Sequence, residues 1–192
     1  MKINKINFRD VQALNGLRLC GYAKKEDLSS IISNNRIKIM EKQGLIESKT
    51  NTKNEIIYTY TDKGKSFIKN LDTLKGQAFY SRQTASTEHD TKLFSEYCKL
   101  TPTERMSCLS ETQTRDIFSE TLKQDQANAE IDKMYSIPDI VYTTDEGITI
   151  ALEITTNNYT TERMELKENF CNATNIELKA VKVWNQLYNK IY

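Results

Sequence analysis

The chain has 192 residues, 38% of them hydrophobic and 28% charged, which suits one to two small globular domains and excludes a disordered polymer. No apolar run approaches the roughly 20 residues a membrane helix needs, and the opening "MKINKINFRD" lacks the apolar stretch of a secretory signal, so the sequence predicts a cytoplasmic protein without a membrane partner. The net charge of +1 conceals an asymmetry: residues 1–75 hold 15 Lys+Arg against 8 Asp+Glu, a balance of +7, and residues 76–192 hold 12 against 18, a balance of −6. The basic half is the expected DNA-contacting half. Cys20, Cys98, Cys108 and Cys171 stand far apart with no C-x-x-C pair, so they are read as reduced, mostly buried thiols.

In chain order, Phe8, Val11, Leu14 and Leu17 recur every three residues and predict a first helix ending near Gly21. "KKEDLSSII" predicts a short second helix with Leu28, Ile31 and Ile32 on one face. A third, through "RIKIMEKQ", turns Ile37 and Met40 inward and stops at Gly44. Its other face carries Asn35, Arg36, Lys38 and Lys42, and Asn34, in the break "SNN" before it, joins them as a candidate DNA contact. "LIESK" and "EIIYTYT" read as two strands about the polar tip "TNTKN", and "DKGKSFIKNL" resumes helical spacing through Phe67, Ile68 and Leu71.

Residues 76–86 are expected to be a linker. "TEHDTKLFSEYCKL" reads as a capped helix with Thr87 as N-cap and an apolar side of Leu93, Phe94 and Tyr97. "RMSCLSE" reads as a strand. "TRDIFSETLKQDQANAEIDKMYS" reads as a helix and loop, and "DIVYT" and "ITIALEIT" as a hairpin turning at "TDEG". "YTTERMELKENFCNAT" is an amphipathic helix and "ELKAVKVW" a last strand. Trp184, Tyr188, Ile191 and Tyr192 suit either a core or a partner contact.

The first-half order is that of a winged helix-turn-helix, and "RIKIMEKQGLIES…IYTYTDKGKSFI" resembles the recognition helix, wing and following helix of winged-helix transcription regulators. The resemblance implies double-stranded DNA as partner. Asn34, Asn35, Arg36 and Lys38 would meet base edges, and Lys42, Lys49 and Lys53 phosphates. The alternatives are that the basic face is merely solvated, or that the domain binds protein. Paired half-sites would make a homodimer reasonable.

The order helix, strand, strand, strand, helix, strand in the second half, with Pro138-Asp139 and Glu153 in "ALEIT", resembles the PD-(D/E)XK nuclease-like fold. A winged helix followed by "EHD" and "PDIVYTTDEGITIALEIT" resembles the replication-relaxation family of plasmids and other mobile elements. The fold expectation is therefore α+β: a winged helix-turn-helix over 1–75 and a nuclease-like α/β domain over 87–192.

In active nucleases of that fold, Asp139 and Glu153 would hold Mg²⁺, with a Lys two residues after the second acid. Here that position is Thr155, so no catalytic residue, metal or cofactor is expected. If the chain is nonetheless a nuclease, Asp139, Glu153 and a migrated Lys167 are its candidates. The plainer reading makes Glu153 a structural partner of Arg163 or Lys167, and His89 a structural histidine beside Asp90. The acidic half is then a surface for a replication or transcription protein.

Overall fold

A computed structural model describes residues 6–80, 87–124, 134–156 and 159–183. It is α+β, with eight helices and two sheets among the described residues. Helix α1 (Phe8–Cys20) starts at a capping box in which Asn7 and Asp10 each accept the other's backbone N–H, and it stops at Gly21, whose φ of +84° suits glycine. Strand β1 (Ala23–Lys24), α2 (Lys25–Ile31) and α3 (Asn34–Lys42) follow, α3 being capped by the Ser33 hydroxyl. Strands β2 (Ile46–Thr50) and β3 (Ile56–Tyr60) form an antiparallel hairpin, and β1 adds to the far side of β3 in the order β1-β3-β2. Helix α4 (Asp62–Lys69), capped by Thr61, lies so close to the start of β2 that a Cβ on Gly64 would come within 1.9 Å of the Leu45 carbonyl oxygen.

The second half runs α5 (Thr87–Lys99), α6 (Pro102–Ser107), β4 (Leu109–Ser110), α7 (Glu111–Gln124), β5 (Ile140–Thr143), β6 (Thr149–Thr155), α8 (Thr161–Thr174) and β7 (Glu177–Lys182). The sheet order is β4-β5-β6-β7, antiparallel except for β6 and β7, which are parallel and joined through α8.

Two expectations are corrected. Much of "RMSCLSE" is not strand: Arg105–Ser107 close α6, and only Leu109–Ser110 pair with β5. The cause lies just upstream, where Thr101 and Glu104 form a capping box with Pro102 in the first turn. Phe8, expected on the buried stripe of the first helix, is 57% exposed because it opens α1 ahead of the first packed turn. The Gln- and Asp-rich insert at 125–133, the later part of the expected linker at 81–86, and Trp184, Tyr188, Ile191 and Tyr192 lie outside the described residues.

Helix α5 is the centre of the packing. Leu93, Phe94 and Tyr97 belong to one buried cluster that includes Leu14 and Leu17 of α1, Leu28 of α2 and the Ile140, Leu152 and Ile154 side chains of the second sheet. Tyr97 and Phe94 fit against Gly16, where an added Cβ would lie 2.6 and 2.7 Å from their rings. The opposite face of the sheet, through Val141 and Ala151, packs on Phe170 and Cys171 of α8. Residues 78–80 lie along α1: Ala78 O accepts from Arg18, the Tyr80 N–H donates to Arg18 O, and the Phe79 ring meets Tyr60 edge-on at 5.2 Å. All four cysteines are free, three of them buried.

Candidate nucleic-acid interface and buried carboxylate pair

Helix α3 is amphipathic by its spacing. Ile37 and Met40 are buried at 2% and 1%, whereas Asn34, Asn35, Lys38 and Lys42 are exposed. Asn35, Lys38 and Lys42 stand at i, i+3 and i+7 and so form one stripe. Asn34, the first residue of α3, accepts a hydrogen bond from the Ser29 hydroxyl on its Oδ1 at 2.8 Å.

Arg36 is placed differently. Its Nε and Nη2 reach the two carboxylate oxygens of Asp10 at 2.9 and 2.8 Å, and Asp10 is fully buried. The same carboxylate accepts the Asn7 N–H that closes the capping box of α1. Asp10 therefore ties the third helix to the first, a role that its position in the sequence did not announce.

The hairpin tip is built by Asn51, whose Oδ1 accepts the backbone N–H groups of Lys53 and Glu55 at 2.9 Å each, and by Asn54 in the left-handed region at φ +59°. Lys49 and Lys53 both project to solvent. Lys49 pairs with Glu47 at 2.7 Å along its own strand, and Lys53 with Glu88 at the start of α5 at 2.8 Å. These pairs are exposed, and such contacts hold their side chains weakly.

Asp139 and Glu153, the carboxylates singled out in the sequence, do meet. Continuing the β5–β6 register one step beyond Ile140↔Leu152 sets them opposite each other. Glu153 is 3% exposed. Its Oε2 accepts the Asp139 N–H at 3.1 Å and faces Lys167 Nζ at 3.0 Å, and its Oε1 accepts the Tyr159 hydroxyl at 2.7 Å. Asp139 Oδ2 accepts the Ile154 N–H at 2.8 Å and lies 3.1 Å from His89 Nε2. His89 Nδ1 stands 3.3 Å from Asp90, which is itself buried, and Lys167 also donates to the Ile137 carbonyl.

Of the two partners the sequence offered Glu153, it is Lys167 that it meets. Because Glu153 and Thr155 share a face of β6 by strand alternation, an ammonium from α8 enters on the side where an E-x-K lysine would stand. Tyr159 and the His89–Asp139 contact, fifty residues apart in sequence, had no local signal.

Burial first, and the Asp139 charge second, raise the Glu153 carboxyl above the usual carboxylate range; Lys167 and Tyr159 pull it back. Burial alone would lower His89, but hydrogen bonds to Asp139 and Asp90 outweigh it and raise the imidazole to about 10. His89 is thus a cation at neutral pH, which disqualifies it as a general base there.

Asp139 and Glu153 are the pair a divalent ion would bridge, and their donor set does not suit one. Three of the chain's own donors fill both oxygens of Glu153, and an imidazolium and an ammonium already neutralise the two carboxylates. Among the described residues no group of three His, Cys, Asp or Glu side chains is disposed to hold a metal. No family model, no curated protein and no solved structure matches the chain.

Proposed function

We propose that this chain binds double-stranded DNA sequence-specifically as a winged helix-turn-helix protein, with α3 in the major groove and the β2–β3 hairpin as the wing. The second half is a PD-(D/E)XK-like scaffold without hydrolytic chemistry. The observation that carries the reading is the solvent-facing stripe of Asn35, Lys38 and Lys42 beside a hairpin bearing Lys49 and Lys53. Such a surface offers what a duplex recognises: amide and ammonium donors on a helix for base edges and further cations for phosphates.

The biological setting, transcription regulation or a replication or relaxation accessory role in a plasmid, phage or other mobile element, follows from the family resemblance alone. A homodimer on paired half-sites belongs to the same reading. The acidic second half repels phosphate and suits a contact with a replication or transcription protein. The test is a duplex-binding titration of the intact chain against a selected library. Specific, salt-sensitive binding supports the proposal, and a salt-insensitive failure to shift any duplex favours a protein-binding adaptor.

One observation favours a second reading, a Mg²⁺-dependent nuclease: Lys167 stands 3.0 Å from Glu153, on the side left empty by Thr155. In that reading Asp139 and Glu153 would hold the ion and Lys167 would stand in for the missing lysine. The ion would first have to displace the donors that fill Glu153. Incubating plasmid and single-stranded DNA with Mg²⁺ or Mn²⁺ separates the readings: nicking by the parent that is absent in Glu153→Ala establishes the nuclease.

A further inference from the structure

Arg is the side chain best suited to guanine, and the sequence places Arg36 on the face that would read bases. Its guanidinium is nevertheless committed. Two contacts at 2.9 and 2.8 Å bind it to Asp10, which is fully buried and also accepts the Asn7 N–H. Swinging Arg36 out to a base edge would strand a buried carboxylate, and breaking such a pair costs more than one base contact returns.

The remaining exposed groups are not equivalent. The Asn34 amide oxygen accepts from the Ser29 hydroxyl of α2 at 2.8 Å and so already has a partner within the protein. Reading adenine requires an amide that accepts from N6 and donates to N7 together, and Asn35 presents one in the same stripe as Lys38 and Lys42. Lys38, one turn further on, is placed for guanine O6 and N7, and Lys42, at the end of the stripe, for phosphate.

We propose that Arg36 is a positioning residue that clamps α3 to α1, and that base recognition rests on Asn35 and Lys38, so that the half-site contains an adenine read by Asn35 next to a guanine read by Lys38. This assignment rests on the DNA-binding reading above and gives it a sequence.

The experiment is selection of bound duplexes from a random library by the intact parent, Asn35→Ala and Arg36→Ala, followed by affinities for the selected site and its single-base variants. The parent should select a motif with a required adenine. Asn35→Ala should lose about tenfold or more of the discrimination at that adenine alone and keep the rest of the motif. Arg36→Ala should keep the whole motif, lose affinity for all duplexes alike and melt at lower temperature. Asn35 is exposed, so its variant keeps the question open even if Arg36→Ala fails to fold.

An unchanged motif in Asn35→Ala, or a guanine preference lost only in Arg36→Ala, overturns the assignment while leaving DNA binding intact. A parent that binds no duplex overturns the DNA-binding reading itself, and this assignment with it.

Discussion

On α3 the Asn35, Lys38 and Lys42 side chains end in water, whereas at the junction of β5 and β6 the Asp139, Glu153, Lys167 and His89 side chains end on one another. Both groups look like functional clusters in the sequence. The difference is what each still needs. A carboxylate whose oxygens already accept a tyrosine hydroxyl, a backbone N–H and an ammonium gains little from a further ligand, while a surface amide and two ammoniums give up only water when a polyanion arrives. The first group holds the fold together, and the second is available for binding.

The largest effect that would sharpen this contrast is loss of one partner in the buried pair. Lys167→Ala is expected to destabilise by up to about 3–5 kcal/mol, because it removes the ammonium that opposes burial and the Asp139 charge, so that Glu153 must either keep an uncompensated buried charge or take up a proton. The double variant Glu153→Gln, Lys167→Met should recover most of that loss in a urea titration. Glu153→Ala should leave duplex affinity of the folded protein unchanged. A stable Lys167→Ala protein would contradict the structural role given to the pair.

Next in size is Gly16→Ala. The new methyl meets the Tyr97 and Phe94 rings inside 3 Å and should cost about 1–3 kcal/mol by overpacking the contact between α1 and α5. Since one apolar cluster joins the two halves through α5, the loss should appear as a shift of a single unfolding transition. Two separated transitions, only one of them moved, would break the picture of a shared core.

A pH effect follows from His89. Its folded value, raised to about 10 by Asp139 and Asp90 against burial, lies above the ordinary 6.5. Between those values the native state holds a proton that the unfolded state has released, so stability falls as pH rises. The contribution is complete below about pH 6.5 and lost as pH passes through about 10. Thermal melts across this window should decline in the parent and flatten in His89→Gln. Equal slopes would remove His89 from the network.

The smallest effect is at the β2–β3 hairpin. Lys49 and Lys53 replaced together by Ala should weaken binding to all duplexes alike and make the salt dependence shallower by up to about two charges. An unaltered salt slope would take the hairpin out of the interface.

How far the sequence disclosed these arrangements depends on how local their causes are. Helix α3 was legible because its apolar and polar positions alternate at helical spacing and Gly44 ends it. The approach of Asp139 to Glu153 was legible because a short turn fixes the register of the hairpin that carries them. Helix α1 was not. Gln12, Asn15 and Arg18 are polar and lie outside the apolar stripe, yet all three are buried and bond to Pro102, Arg105, Ala78 and Gln113 across the chain. Only the packing of the second half against α1 makes them interior residues, and no periodicity encodes it. Arg36 shows the same limit. Its place in the helix is evident, but its partner Asp10 lies 26 residues earlier, with no local pattern that links the two.

The central claim, that α3 and the wing form a DNA-binding surface, is tested most directly by measuring duplex affinity of the intact chain by fluorescence anisotropy over a range of salt concentrations. With Lys42, Lys49 and Lys53 on phosphates, the log affinity should fall against log salt with a slope of about −2.7 per protomer. The slope should be the same for the selected site and its base variants, with only the intercept moving. Absence of binding to any duplex at low salt, or binding with no salt dependence, would contradict the account.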